Sequence, residues 1–270
     1  MKKIFKLIFV VFIFTFFIFT TKSAEAAGLT AGEIVDKANL AYYYGGSDGR
    51  AEMKMTITDS RGRERIREMV MLRKDLTDGG EQKFYVFFKN PPDVNGMVFM
   101  VLKRPGGTDD RWLYIPAVDL VKRVASKDKR SSFAGSHFTY EDVSGRDTSA
   151  DTHELLGLEK LGVRDVYLIK NTPKNPDLVE FSFFKVWIDK ENFLPLKGEY
   201  FDKKGNLQKT VTVDEVEVID GIASVLKGKV AEVGRGSTVV EFKNIRYNLG
   251  FKDKIFTERS LRKPPRKWLK

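Results

Sequence analysis

The sequence predicts a mainly β (α+β) fold: one antiparallel sheet that curls into an incomplete barrel, with an N-terminal helix and a lid of loop and helix over a hydrophobic cavity. Runs of strand-forming residues, separated by turn-forming residues, recur from residue 51 toward the C-terminus. The number of these runs exceeds about ten, the number of strands above which a sheet rarely stays flat and open. Several runs are apolar on both faces, which requires apolar cover on each side or an internal cavity.

Residues 1–26 are predicted to be a cleaved signal peptide, which leaves residues 27–270 as a single exported domain. Three lysines, an uncharged run of 13 residues at 7–19 and the AEA string at 24–26 follow the order of such a peptide. An uncleaved anchor is the alternative, but a membrane-spanning helix needs about 20 apolar residues. We therefore expect a periplasmic protein, cleaved near Ala26.

The composition excludes several classes of protein. The 270-residue chain has no cysteine, so it holds no disulfide, no thiolate nucleophile and no cysteine that carries a lipid anchor. With only His137 and His153, a multi-histidine metal site is nearly excluded, and we expect neither metal nor cofactor. The net charge is +10, but acidic and basic residues are interspersed along the chain. This distribution is typical of a solvated surface and not of a nucleic-acid groove.

The first element after the signal peptide is predicted to be a helix. Thr30 and Glu33 form a capping box, and Ile34 to Tyr42 carry apolar residues at helical spacing. The pair Gly45-Gly46 ends the pattern.

A β-hairpin follows, because residues 51–58 alternate between apolar and polar, 59–62 form a turn, and 63–73 return as a second strand. Asp220-Gly221 suits another two-residue hairpin turn. Further strands are predicted at 82–89, 97–103, 111–115, 119–124, 152–158, 163–171, 179–188, 194–201, 207–219, 222–232 and 236–246. The chain should therefore form an antiparallel meander.

The stretch 126–150 interrupts the strand pattern. It is rich in Ser, Gly, Lys and Arg, with a short helix predicted around Tyr140 to Val143. Loops of this length in compact domains are usually functional or disordered. We interpret this stretch as part of the lid.

Methionines are concentrated on the first strands of the predicted sheet. Met is over-used on surfaces that adapt to varied apolar partners, but it also fills ordinary cores, so cavity lining and core packing both stay open. The six methionines outside the signal peptide are Met53, Met55, Met69, Met71, Met97 and Met100.

No catalytic residue is predicted. The motifs of serine hydrolases, P-loop proteins, zinc proteases and dinucleotide-binding proteins do not occur. Ser136 and His137 are adjacent in sequence, so their side chains should diverge, unlike a nucleophile and its base. The acidic pairs Glu141-Asp142 and Asp109-Asp110 are expected to be solvated or capping residues.

The string WLYIPA at 112–117, the pair Lys122-Arg123 and the string SFAGSHFTYED at 132–142 identify a resemblance. These strings follow a signal peptide, a helix and a Met-rich hairpin, in that order. On this basis the chain resembles the LolA-like outer-membrane lipoprotein-sorting family, in particular the branch found beside RND-type exporters. The resemblance implies a half-barrel with a helical lid and a hydrophobic cavity. It also implies a non-enzymatic periplasmic carrier that accepts acyl chains of lipoproteins or lipids from an inner-membrane transporter of the ABC or RND type.

The resemblance and the strand pattern together give candidate site residues. Arg73 corresponds by position to an arginine that holds the lid of LolA shut, and we expect Arg73, Phe138 and Tyr140 to act at the lid. Strand parity stays open by one residue, and a slip exchanges each cavity residue for its neighbour. The candidate cavity residues are Met53, Met55, Met69, Met71, Phe84, Phe88, Met97, Phe99, Trp112 and Tyr114.

Two further functions and one surface stay open. The protein is alternatively an accessory subunit that docks on an RND-type exporter without cargo, or, remotely, a hydrolase that uses Ser136, His137 or Glu141. The basic C-terminal tail is expected either to touch anionic lipid headgroups or to be a frayed, solvated terminus. Its basic residues are Arg259, Arg262, Lys263, Arg266, Lys267 and Lys270.

Overall fold

The computed structural model describes residues 28–270, so the predicted signal peptide at residues 1–26 lies outside the described residues. The α-helices are α1 (Ala31–Tyr43), α2 (Tyr140–Ser144) and α3 (Glu258–Arg262). The strands are β1 (Asp48–Asp59), β2 (Glu64–Asp75), β3 (Gln82–Asn90), β4 (Val98–Lys103), β5 (Asp110–Ile115), β6 (Leu120–Arg123), β7 (Asp151–Leu161), β8 (Arg164–Pro173), β9 (Phe181–Asp189), β10 (Pro195–Asp202), β11 (Leu207–Ile219), β12 (Ile222–Glu232) and β13 (Gly236–Tyr247). No helix in this part of the chain has the length and apolar character needed to cross a membrane.

The strands form one open antiparallel sheet in the order β6-β5-β4-β3-β2-β1-β13-β12-β11-β10-β9-β8-β7. Strands that are consecutive in sequence are neighbours, except that β1 pairs with β13 and β6 and β7 lie at the two edges. Asp220 and Gly221 adopt φ of 53° and 79°, as a two-residue hairpin turn requires. The prediction of an antiparallel meander that curls without closing is confirmed.

Helix α1 lies across the β8–β9 end of the sheet. Glu33 N donates to Thr30 Oγ1 (3.3 Å) and Thr30 N donates to the Glu33 carboxylate (2.8 Å), which completes the predicted capping box. Ile34 is fully buried against Ile169 on β8 and Ile188 on β9. This packing fixes the face of the sheet that carries α1, here called the inner face.

Strands β2 to β4 bury both of their faces. Residues directly opposite in neighbouring strands share a face, so Met53, Met69 and Phe88 all point to the inner face. Their sequence neighbours Val70 and Leu72 point to the other face, here called the outer face, and are fully buried there. Continuous apolar runs on these strands therefore reflect cover on both sides.

The outer face is covered by the C-terminal segment (residues 249–270). Phe251, Phe256 and Leu261 pack against Leu72 and Tyr85. The burial of this apolar surface holds the segment on β2, β3 and β4.

Polar contacts also anchor the C-terminal segment. The carboxylate of Asp48 accepts hydrogen bonds from the backbone N–H groups of Leu249 (2.6 Å) and Phe251 (2.7 Å), and the Tyr85 hydroxyl donates to the Ser260 carbonyl (2.7 Å). The expectation of a frayed terminus is therefore wrong, because an apolar stripe hidden among the basic residues docks on the sheet. The six basic residues of the tail all remain exposed.

Candidate functional site

A cavity of about 200 Å³ lies on the inner face, between the sheet, the end of α1 and the chain that follows β6. Its wall is mostly apolar and comes from both halves of the sheet. The lining residues from the strands are Gly49, Arg50, Ala51, Met53, Met55, Met71, Arg73, Phe84, Ala223, Ser224, Val225, Val240, Phe242, Ile245 and Tyr247.

The candidate residues of the inner face fall into two groups. Met53, Met55, Met71 and Phe84 line the cavity itself. The second group, Met69, Phe88 and Phe99, is buried in the same apolar cluster, and Met97 and Tyr140 pack against that cluster.

Trp112 and Tyr114 do not face the cavity. Trp112 lies opposite Met100, and both residues pack toward the C-terminal segment on the outer face. Their neighbour Leu113 packs into the inner cluster instead. The predicted parity of β5 is therefore wrong by one residue, because this strand is apolar on both faces and alternation does not distinguish them.

The lid segment (residues 126–144) covers one end of the cavity with an aromatic plug. Phe133 is 2% exposed, and its ring centroid lies 5.7 Å from that of Phe88 and 5.4 Å from that of Phe99. Tyr140 packs edge-on against Phe133 with the centroids 5.6 Å apart. Phe133 and the candidate lid residue Phe138 both line the cavity, so the lid segment forms part of the wall.

A tight turn presents Phe133 to the cavity. The central residues Ala134 and Gly135 have φ of 52° and 75°, and Ser136 N donates to the Phe133 carbonyl (2.9 Å). Positive φ is easy for Gly135 but strained for Ala134, which has a β-carbon. The sequence signal for this plug is the pair of large apolar residues, Phe133 and Phe138, inside an otherwise polar loop.

Ser136 and His137 hold the lid segment. The Ser136 hydroxyl donates to the Phe133 carbonyl (2.7 Å), and His137 N donates to Thr238 Oγ1 on β13 (3.1 Å). His137 Nδ1 also lies 2.9 Å from that hydroxyl. The Arg65 guanidinium donates to the Gly135 carbonyl (3.2 Å). These bonds tie the turn to β2 and β13.

Helix α2 ends the lid segment and is tied to α1. Thr139 N donates to the Asp142 carboxylate (2.8 Å) and Asp142 N donates to Thr139 Oγ1 (3.2 Å), so Asp142 is a capping residue as expected. Glu141 differs from the expectation of a solvated acid: it is 6% exposed and pairs with Lys129 at 2.6 Å. The Tyr43 hydroxyl donates to the Asp142 carbonyl (3.3 Å).

The other acidic pair is also engaged. Asp109 pairs with Arg111, and Asp110 with Arg104 at 2.5 Å, and none of the four side chains is more than half exposed. These carboxylates are therefore partners of neighbouring cations and not free solvated acids, because the turn from β4 to β5 places them between Arg104 and Arg111.

Arg73 binds the end of α1. Its guanidinium donates to the carbonyl of Tyr43, one of the groups that a helix leaves unsatisfied at its C-terminus, and to those of Gly45 and Gly46 just beyond the helix. Burial lowers the pKa of Arg73, and the nearby Asp75 opposes this effect. Arg73 thus fixes the segment that closes the cavity next to β2.

Few polar groups of the wall are left free to bind a ligand. The hydroxyls of Ser224 and Tyr247 pair with each other at 2.7 Å. Within residues 28–270, no group of three His, Asp or Glu side chains is placed to hold a metal ion. The cavity offers apolar surface, which suits an aliphatic chain.

Comparisons with known proteins agree with this geometry. A family model described as that of an uncharacterized protein matches residues 80–263. A DUF1329 family protein from Desulfovibrio piger is 30% identical, with a TM-score of 0.78 over 86% of this chain and 98% of that chain. No match was found among curated proteins.

Two further solved structures share the fold. A domain from Vibrio parahaemolyticus, described as an outer membrane lipoprotein-sorting protein, is 28% identical, with a TM-score of 0.78 over 86% of this chain and 98% of that chain. A LolA superfamily protein from Nitrosomonas europaea is 19% identical, with a TM-score of 0.65 over 86% of this chain and 99% of that chain, and shows the fold alone. The chain therefore belongs to the DUF1329 family, and it shares its fold with the LolA superfamily protein.

Proposed function

We propose that the protein is a non-enzymatic periplasmic carrier that holds acyl chains of lipoproteins or lipids in the inner-face cavity and moves them from the inner toward the outer membrane. The apolar cavity beneath the lid segment carries this proposal. An acyl chain gains about 0.8 kcal/mol per CH₂ group removed from water, so a carrier must offer an apolar interior in place of the bilayer. The lipoprotein-sorting description of the Vibrio parahaemolyticus domain points the same way.

Loading should involve the lid segment. The cavity of about 200 Å³ is smaller than the about 300–1,000 Å³ of typical ligand sites. Phe133 occupies apolar space next to the cavity, and the turn that carries it is held by a few hydrogen bonds. Outward movement of Phe133 would enlarge the site without disturbing the sheet.

The outer face, on the side of the sheet opposite the cavity, suggests one partner of the protein. The exposed basic residues of the C-terminal segment would attract anionic headgroups, at about 1 kcal/mol for each cation near the surface. An inner-membrane transporter of the ABC or RND type would supply the cargo, in keeping with the lipoprotein-sorting resemblance.

The proposal is tested by mass spectrometry of the mature protein purified from periplasm without detergent, both native and after organic extraction. We expect stoichiometric acylated molecules in the wild type and their loss in Ala51→Phe, because Ala51 lines the cavity and a phenyl group fills it. Ala231→Phe is the matched control, since Ala231 lies on the outer face of β12. A wild type that stays free of ligand after incubation with lipids and a triacylated lipoprotein would overturn the proposal.

The ligand-free outcome would favour the accessory subunit. Edge strand β7 supports that alternative, because Leu155, Leu156 and Leu158 are all at least 40% exposed along it. An exporter subunit with a free strand or an apolar groove would then be the partner to seek.

A further inference from the structure

A second cavity, of about 110 Å³, lies on the far side of Tyr43 from the first and is lined mainly by charged residues. It is formed by the ends of β4 and β5 and by the lid segment. The charged lining residues are Lys103, Arg104, Asp109, Arg111, Lys129, Glu141 and Asp147. Four cations therefore face three carboxylates.

Lys103 is a buried cation with unused hydrogen-bonding capacity. It is 4% exposed, and its ammonium donates to the Ser144 carbonyl (2.7 Å) and lies 5.1 Å from the centroid of the Tyr43 ring. Within the described chain no carboxylate lies within 4.0 Å of this ammonium. An ammonium has three donors, so two N–H groups remain for a ligand. Burial lowers the pKa of Lys103, while nearby carboxylates raise it.

Arg111 is the second buried cation of this cavity. It is 3% exposed and pairs with Asp109 through Nη2, while its Nε has no hydrogen-bond partner. The hydroxyl of Ser144, which is fully buried next to the Lys103 contact, also has no partner. A buried donor without a partner costs about 1–3 kcal/mol, so these groups indicate that something else binds here.

The carboxylates of the second cavity are already bound. Glu141 pairs with Lys129 at 2.6 Å, and Asp147 accepts hydrogen bonds from Gly106 N (2.7 Å) and Ser149 N (2.9 Å). Asp109 accepts from Arg104 N (2.8 Å) in addition to Arg111. The polar groups of this cavity that have no hydrogen-bond partner are therefore donors. Donors of this kind bind an anion.

Tyr43 is the wall between the two cavities. It lines the apolar cavity, and the face of its ring is turned toward the Lys103 ammonium on the other side. Gly145 packs so tightly on the Tyr43 ring that a β-carbon would lie 2.7 Å from it. The Tyr43 side chain therefore separates the two cavities, and its displacement would let one ligand place an apolar chain in the first cavity and an anionic head in the second.

We propose that the second cavity binds the phosphate group of an anionic lipid whose acyl chain occupies the apolar cavity, with Lys103 and Arg111 as its principal ligands. A terminal phosphate, which is a monoester, offers three free oxygens to the Lys103 ammonium, Arg111 Nε and the Ser144 hydroxyl, whereas a carboxylate or a phosphodiester offers two. This inference rests on the proposed carrier function and narrows its cargo to phosphate-bearing lipids.

The test compares dodecyl phosphate, dodecyl maltoside and inorganic phosphate by titration calorimetry with the mature protein. The first two ligands share one chain and differ in head charge, and the third carries the head alone. We expect dodecyl phosphate to bind at least about ten-fold more tightly than dodecyl maltoside, because hydrogen bonds between charged groups contribute that much.

Lys103→Gln and Arg111→Gln should each remove the preference for dodecyl phosphate and leave the affinity for dodecyl maltoside unchanged. A glutamine at 103 can still donate to the Ser144 carbonyl, which favours a folded variant. Lys122→Gln is the matched control, because Lys122 is an exposed cation on β6 outside both cavities.

The outcomes separate the two proposals. Equal affinity of the wild type for both dodecyl ligands would overturn the phosphate site and leave the carrier standing. No binding of either dodecyl ligand would overturn the carrier. In that case, inorganic phosphate binding that Lys103→Gln abolishes would retain an anion site for free phosphate, and its absence would overturn the site as well.

Discussion

Arg50, near the start of β1, donates a hydrogen bond of 2.9 Å from Nε to the backbone carbonyl of Trp268, 218 residues along the chain. Its Nη2 also donates to the Lys270 carbonyl and to the Glu52 carboxylate. The side chain is only 2% exposed. A buried guanidinium therefore joins the centre of the sheet to the C-terminal segment on the outer face.

Arg50→Ala should lower the free energy of unfolding by about 2–3 kcal/mol, because it removes hydrogen bonds from a buried charged donor to the backbone carbonyls of Trp268 and Lys270. Limited proteolysis of the C-terminal segment should also become faster. Arg246→Ala is the control, since Arg246 lies opposite Arg50 on β13 and is exposed. Equal urea midpoints for the two variants would show that Arg50 does not hold the segment.

Arg73→Lys should destabilise the protein by about 2 kcal/mol, although charge is kept. Lysine lacks the planar fork with which Arg73 binds the carbonyls of Tyr43, Gly45 and Gly46. Urea unfolding measures the loss, and hydrogen exchange should rise at the end of α1. Arg63→Lys, on an exposed turn, should change neither quantity. An unchanged exchange rate at the end of α1 would contradict the anchoring role of Arg73.

Ala134→Gly should raise the free energy of unfolding by about 1 kcal/mol. Ala134 has a φ of 52°, where a β-carbon is strained and glycine is not. The same change at Ala231, inside strand β12, should lower stability by about 0.5–1 kcal/mol. Thermal unfolding of the two variants should therefore shift in opposite directions. Destabilisation by Ala134→Gly would rule out strain in the lid turn.

Asp75 should make stability depend on pH. Burial raises the pKa of Asp75 from 3.8 to about 6, against the opposing effects of Arg73 and of the hydrogen bond from Gln82. The folded protein holds this proton more tightly than the unfolded chain. The contribution of Asp75 to the free energy of unfolding therefore falls as the pH rises from about 4 to about 6.

Asp75→Asn cannot ionise and should lose this dependence, as measured by urea unfolding at several pH values in that window. Asp253→Asn is a control of opposite sign. Asp253 has its pKa lowered by hydrogen bonds from Lys74 and Lys83, so its contribution is lost as the pH falls. Parallel pH profiles for wild type and Asp75→Asn would contradict the prediction.

The sequence predicts the sheet well because the alternation of apolar residues along each strand and the residues of the turns are local signals. The capping box of α1, the strands and the Asp220-Gly221 turn are confirmed on this basis. The placement of Met53 and Met55 at the cavity follows from clean alternation along β1, whose other face carries Lys54 and Thr56.

The remainder depends on tertiary contacts that leave no local signal. Trp112 and Tyr114 lie in a strand that is apolar on both faces, so only the docking of the C-terminal segment decides which side they take. Lys103 and Arg111 resemble ordinary solvated strand ends in sequence. Their burial results from the lid segment and from Tyr43, which come from distant parts of the chain.

The two edge strands of the open sheet determine whether this protein pairs with strands of other molecules in the periplasm, where we propose that it acts. Strand β6 has only four residues, too few to template a partner. Strand β7 has eleven, but its ladder shifts register between Leu155 and Gly157, and Glu159 and Lys160 follow the shift. Such a break and such charges disfavour stacking of identical copies edge to edge. The sheet can therefore keep two unpaired edges without growing into a fibre.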